Sequence, residues 1–290
     1  VRTPRAPRAV SGRARIAGSG PEVPRRGEID RFALERLVRV DGPIEEYDAL
    51  DQQAGEPTRL RVLDVERAEG SSNLPADEWL RFFAQEAASG AVLSHPCIIR
   101  FRDEGKSGHL LWIAYAPPPA SRLSELIAAG RPPPARPVLL DLSRALVHFH
   151  DRGLLACGLT PRAVRTSTRG LPVFADLSRV APVGGALHPL LEEDPFCLSP
   201  EYAGARRHDP RSDLFALGSL AYELLTGTRP FRGLDTWSVL EALRTRSPRP
   251  PRALDRTVPP DLSDLTMRLL SREPKSRPPS AQVVVEVLER

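Results

Sequence analysis

The sequence predicts an α+β chain of two lobes, a small strand-rich one followed by a larger helical one. Three observations carry that expectation. Residues 32–38 and 58–65 alternate apolar and polar side chains with the period of a strand. The prolines at 117–119 then break the chain, and from about residue 121 the apolar residues recur at helical spacing. Last, the stretch from Arg211 to Phe231 reads as one helix that is apolar nearly all round, which marks a buried post at the centre of a domain.

In chain order, residues 1–28 lack periodicity and are rich in Pro, Gly, Ser and Arg, so they are expected to form a disordered tail or a linker. Strands are expected at 32–38, 58–65, 97–101 and 110–115. One helix over 76–93 places Trp79, Phe82, Phe83, Ala87 and Ala91 on a single face. The N-lobe is thus placed at 29–116 and the C-lobe at 117–290. In the C-lobe, 123–129 reads as a short helix, and 137–151 as a longer one with Val138, Leu142, Ala145, Leu146 and Phe149 inward. Two short apolar runs within 153–175 suggest a hairpin beside a loop, and a Gly/Pro-rich connection over 179–200 leads to the buried helix. That helix is expected to be capped by Ser212 and Asp213 and stopped by Gly227 and Pro230. Helices at 237–244, 261–270 and 280–289 complete the chain.

Composition excludes several function classes. The chain has 290 residues, 41% of them hydrophobic, and no apolar run near the length of a membrane span. Residues 1–28 hold seven arginines and two glutamates, a net +5; with the whole chain at +4, the remainder carries −1. The basic character therefore belongs to the tail, and a nucleic-acid partner is not expected. Cys97, Cys157 and Cys197 are far apart and fit buried thiols in a reducing cytoplasm. There are only two lysines, Lys106 and Lys275, a bias that with 31 prolines points to a GC-rich bacterial genome. His148 and His150 point apart on a helix, Glu192, Glu193 and Asp194 fit a solvated loop, and no metal site is expected.

Four segments then resemble, in order, the bacterial eukaryotic-type (Hanks-type) Ser/Thr protein kinases. They are Leu93-Ser-His-Pro-Cys-Ile-Ile-Arg100, Leu198-Ser-Pro-Glu201, the 211–231 helix, and the run Glu273, Pro274, Lys275, Ser276, Arg277, Pro278. The resemblance implies a protein-kinase-like fold over 29–290. It gives Asp213 the role of tying the central helix to the catalytic loop, and it pairs Glu201 with Arg277. It also places Glu86 at the conserved glutamate of the N-lobe helix.

The residues that phosphoryl transfer draws on depart from the family pattern. Such catalysis needs a glycine loop and a lysine on the phosphates, a metal held by Asp and Asn, and an Asp to accept the hydroxyl proton. Arg39, Asp41 and Ile44 stand at the loop glycines, and Arg61 stands at the lysine. Gly158 replaces the base, Thr160 the catalytic-loop lysine, and Ala163 the metal-binding asparagine. Only Asp176 keeps its counterpart, leaving Arg61, Glu86 and Asp176 as a remnant polar cluster read as structural. Glu46, Arg59 and Arg165 are expected to fill the adenine slot with charge. These departures lead to the expectation of a pseudokinase: not an enzyme, without a cofactor, acting as a scaffold or allosteric regulator. It would bind protein partners or other domains of the same chain, within a larger cytoplasmic signalling protein. Two alternatives stand beside it, a nucleotide-binding sensor without phosphotransfer and a degenerate Ser/Thr protein kinase with residual activity that uses ATP and Mg²⁺.

Overall fold

A computed structural model describes residues 28–71, 73–185, 198–205, 208–233 and 235–290. The basic segment up to residue 27, the Glu192–Asp194 patch and Cys197 lie outside the described residues. The first lobe is a six-stranded antiparallel sheet in the order β1-β2-β3-β4-β6-β5. Its strands are β1 (Glu28–Ile29), β2 (Phe32–Asp41), β3 (Ile44–Asp51), β4 (Glu56–Asp64), β5 (Phe101–Ser107) and β6 (Leu110–Tyr115). A short helix α1 (Val65–Glu69) and the longer α2 (Ala76–Val92) join β4 to the rest. Trp79, Phe82, Phe83 and Ala87 of α2 are buried, as the spacing predicts. Phe32, Tyr47, Leu60, Val62 and Trp112 form a second small core on the sheet.

The second lobe is mostly helical: α3 (Leu123–Ala128), α4 (Ala135–His150), α5 (Pro200–Ala205), α6 (Pro210–Thr226), α7 (Thr236–Thr245), α8 (Pro251–Leu254), α9 (Pro260–Leu269) and α10 (Ala281–Leu288). Five short strands lie beside the helices: β7 (Ser121–Arg122), β8 (Leu154–Leu155), β9 (Val164–Thr166), β10 (Pro172–Phe174) and β11 (Ala181–Pro182). They make a three-stranded sheet β10-β9-β7 and a pair β11-β8. The two-lobed α+β expectation holds.

Helix α6 is the post on which this lobe is assembled. Leu214, Phe215, Leu217, Leu220 and Ala221 are all fully buried. Gly218 lets α9 approach closely, since a Cβ there would sit 2.7 Å from the Leu269 Cβ. The helix begins one turn earlier than its sequence suggests. Asp209 is the N-cap, accepting from the Arg211 and Ser212 amides, and Pro210 takes the first helical position. Ser212 completes the capping box, and Asp213 lies inside the helix, free to bond elsewhere. Gly227, in the left-handed region at φ 67°, ends it.

Other expectations need correction. Residues 97–100 do not form a strand of the sheet: their backbone bonds to Phe174 of the other lobe, through an isolated parallel bridge at Ile98, and the strand begins only at Phe101. Strand β3 was missed because Glu45, Glu46 and Asp48 interrupt its apolar residues: Tyr47 and Ala49 pack on one face of the sheet and Ile44 on the other. Strand β5, with a burial pattern nowhere deeply apolar, and the short helices α1, α5 and α8 were missed for the same want of periodicity.

Candidate active site

The lobes face each other across a cleft of about 390 Å³, within the size range of small-molecule and cofactor pockets. Its wall carries eight arginines against three carboxylates: Arg39, Arg59, Arg61, Arg122, Arg162, Arg165, Arg179 and Arg229 face Glu46, Glu86 and Asp176. That balance makes the cleft strongly attractive to anions.

The roof is a hairpin in place of a loop. Strand β2 turns into β3 through Gly42 and Pro43 alone, with Asp41 paired to Ile44. Gly42 takes φ 58°, and a Cβ there would meet the Trp79 ring at 3.1 Å, so a side chain is disfavoured twice. Asp41 does not present a bare charge to the cleft, because Arg39 Nη2 lies 2.8 Å from it. The other arm of Arg39 crosses the cleft and ends 3.5 Å from Asp176.

The polar cluster expected from the sequence is assembled. Strand β4 presents Arg61 and helix α2 presents Glu86, with Arg61 Nε 2.9 Å from Glu86 Oε1. The Nε–H is not aimed at that oxygen, so this is an ion pair without a hydrogen bond; the Tyr115 hydroxyl donates to the same oxygen at 3.0 Å. Helix α2 is tied to the other lobe as well, since Gln85 donates to the Val180 carbonyl at 2.6 Å. Asp176 accepts from the Ser178 amide and hydroxyl at 3.1 and 2.6 Å. Burial works to raise its pKa, but Arg61, Arg39, the Ser178 hydrogen bond and Arg179 together hold it well below the usual carboxylate range.

Burial pushes the Glu86 carboxyl up to about 7, with Arg61 opposing the shift and Asp176 adding to it. The sign of the stability effect follows. A carboxyl whose folded pKa is raised contributes stability that is present below its unfolded value and lost as pH rises through the folded one. Relative to Glu86→Gln, the wild-type chain is therefore expected to lose stability between about pH 4.3 and 7 and to level off above. Denaturant unfolding of both proteins from pH 4.5 to 8 measures the gap. A gap that stayed flat would show a carboxyl at its ordinary pKa, and one that moved in favour of the wild type as pH rose would show a lowered pKa.

At the floor, Gly158 and Ala163 line the cleft and offer no ligand atom beyond the backbone. A Cβ on Gly158 would come 3.3 Å from Arg179 Cδ, a flexible neighbour that can yield. Thr160 is nearly buried, and its hydroxyl accepts from the Ala163 amide at 3.2 Å, so it shapes the turn. The loop is anchored from below by Asp213, which accepts from the Ala156 and Cys157 amides at 2.9 Å each, from His150 at 3.0 Å and from His208 at 3.3 Å. Cys157, His208 and Asp213 offer ligand atoms within 4.8 Å of one another, but the carboxylate is already committed to these four donors. His148 lies on the opposite side of α4, accepting from the Ser94 amide.

One expectation about the cleft is corrected: it is not filled. Arg59 is drawn back onto the sheet by Glu46 at 2.5 Å and Asp48 at 2.8 Å, and Arg165 is held by the Ala120 carbonyl at 2.8 Å. The charges expected to block the slot are thus partly paired at its walls, and the space between them stays open. Arg122, Arg162, Arg179 and Arg229 were not anticipated. They come from four separate segments, and no local spacing marks them as neighbours.

Residues 47–287 match the protein kinase domain family. The chain belongs to it. It is 31% identical over 283 residues to the serine/threonine-protein kinase pkn2 of Myxococcus xanthus, a match covering 89% of this chain and 32% of that protein. It is 29% identical over 258 residues to the serine/threonine-protein kinase PknL of Mycobacterium bovis, covering 85% of this chain and 62% of that one. A third relative, the serine/threonine-protein kinase PknB of Mycobacterium tuberculosis, is 26% identical over 260 residues, covering 86% and 41%. This protein kinase domain chain thus spans between about a third and about three fifths of the length of these relatives. The comparisons correct two expectations. Relatives named as kinases match across the whole domain, which overturns the reading of the chain as a non-enzyme. Kinase relatives also imply ATP and Mg²⁺, against the expectation of no cofactor. Among the described residues, no helix is long and apolar enough to cross a membrane.

Proposed function

We propose that the chain is a slow serine/threonine protein kinase domain in which arginines take over the phosphate-neutralising work that the family assigns to a glycine loop and a lysine. The observation that carries this reading is the Arg61–Glu86 ion pair standing over an ionised Asp176 in an open, cationic cleft. ATP fits this cleft in volume and in charge, and Mg²⁺ fits it only together with the phosphates that offset the arginines. Asp176 is the one carboxylate placed to hold Mg²⁺, which readily keeps waters and phosphate oxygens in its remaining positions. When bound, Mg²⁺-ATP supplies the phosphoryl group and spreads its charge.

The chain's own residues do the rest. Glu86 and Tyr115 fix the direction of Arg61 into the cleft. Arg39 hangs from the hairpin roof and closes the lobes on Asp176. Gly158 supplies no base, so the rate lacks the roughly 10²–10⁴-fold that a positioned general base contributes. We place the lobes at 29–116 and 117–290, and the setting in a reducing cytoplasm where the buried thiols of Cys97 and Cys157 stay reduced. Protein substrates, or other domains of the same protein, are the partners this reading calls for.

The test is incorporation of label from γ-³²P-ATP with Mg²⁺ or Mn²⁺. A low incorporation is expected in the wild type, with loss in Asp176→Ala and a gain of about 10²-fold or more in Gly158→Asp, where Arg179 can move aside. If neither wild type nor Gly158→Asp exceeds Asp176→Ala, phosphotransfer is refuted. A thermal shift with ATP then separates a chain that binds nucleotide from one that does not, because ligand at 100 times its Kd adds about 2.7 kcal/mol.

A further inference from the structure

Strands β7 and β9 pair antiparallel, and their register sets Arg122 directly opposite Arg165. Opposed residues in such a pair have Cβ atoms about 4.5–5.5 Å apart, and like charges placed there are destabilising. Both side chains nevertheless line the cleft, and Arg59 lines the same wall from β4. Arg59 is divided between Glu46 and Asp48. Among the described residues Arg165 hydrogen-bonds the Ala120 carbonyl alone, beside the connection between the lobes. The Arg122 guanidinium has no ion pair or hydrogen bond among the described residues. Burial, Arg122 and Arg59 pull the Arg165 pKa below its usual value, and Glu125 and Glu46 offset them only in part. Neither Arg122 nor Arg165 contacts Asp176, so this group is separate from the polar cluster at the other end of the cleft.

We infer that Arg122 and Arg165, with Arg59 behind them, form an anion subsite beside the inter-lobe connection that takes a phosphate group. Two guanidiniums facing each other across a strand pair are unfavourable until a shared anion lies between them. Arginine forks suit phosphate bidentately, which accounts for arginine here in place of lysine. The phosphate has two possible sources, the nucleotide's own chain or a separate phosphorylated small molecule. The inference rests on reading the cleft as a phosphate-handling site and does not require phosphotransfer.

The experiment uses the whole chain and inorganic pyrophosphate, without metal or nucleotide, followed by calorimetry and thermal melting. Pyrophosphate is expected to bind and to raise Tm. Arg122→Gln is expected to weaken that binding at least tenfold while melting no lower than wild type without ligand, because it relieves the repulsion. Arg122→Glu, which sets opposite charges across the pair, is expected to raise Tm and abolish binding. Arg268→Gln, an exposed arginine of α9 outside the cleft, is expected to leave the pyrophosphate affinity unchanged. Pyrophosphate binding that survives Arg122→Glu overturns the subsite, and so does a ligand-free Tm that falls in both Arg122 variants. ATP separates the sources. An ATP affinity that falls together with that for pyrophosphate assigns the phosphate to the nucleotide; an unchanged one assigns it to a second molecule. Absence of kinase activity leaves these outcomes untouched, since pyrophosphate is the probe.

Discussion

Arg277→Ala is expected to lower the stability of the chain by about 3–5 kcal/mol, the range for breaking a buried ion pair from one side. The Arg277 side chain is fully enclosed. It meets Glu201 through two parallel hydrogen bonds of 2.7 Å, Nη1 to Oε1 and Nη2 to Oε2. It also donates to the Ser271, Arg211 and Arg272 carbonyls and stacks over the Phe215 ring at 4.9 Å. Alanine would leave Glu201 without its fork and remove a donor from three carbonyls, beneath the N-terminus of α6. Arg277→Lys should recover little, since a point charge cannot make the bidentate contact or the stacking. Urea unfolding of the three proteins measures the loss. An Arg277→Ala midpoint equal to wild type within error would mean that the pair contributes nothing to the fold.

Asp213→Ala is expected to cost as much or more. It strands the Ala156 and Cys157 amides, each worth about 1–3 kcal/mol when buried without a partner, and frees His150 and His208. Because those amides belong to the loop that carries Gly158 and Thr160, any phosphotransfer should fall with the stability. The acid limb gives an independent reading. Burial would raise the Asp213 pKa, but the hydrogen bonds and charges of His150 and His208 hold it well below the ordinary range. A depressed carboxyl contributes stability that is present above its unfolded pKa of about 3.9 and lost as pH falls toward its folded value. The advantage of wild type over Asp213→Asn should therefore be constant at neutral pH and shrink below about pH 4. An advantage that persisted undiminished to pH 2 would contradict the assignment.

Much of the fold was legible because its helices carry their signals locally. The apolar faces of α2, α4 and α6, the stop at Gly227 and the α10 pattern all lie within single windows of sequence. The cap of α6 was misplaced because Asp209-Pro210 and Ser212-Asp213 both fit an N-terminus. Only the loop that Asp213 reaches, more than 50 residues away, decides between them. Strand β3 was hidden by its own chemistry, since its acids pair with arginines of β2 and β4 that no local rule foresees. The site divides in the same way. Glu86, Asp176 and Arg61 were found from motif spacing, and the structure brings them together. That the cleft is open, and walled by arginines from many segments, depends on which partner each side chain chooses. Arg59 choosing Glu46 and Asp48 is a tertiary event.

The scarcity of lysine has a consequence for covalent chemistry. Lys106 lies on β5 and Lys275 in the turn over Pro274–Ser276, and neither lines the cleft. The cleft therefore contains no amine. Acylating reagents that report on nucleotide sites through a lysine have nothing to react with here, and acetylation cannot switch its charge. Dicarbonyl reagents selective for guanidinium would find many targets in the same place. The positive potential of this site is thus fixed against both lysine acetylation and the pH changes that titrate an amine.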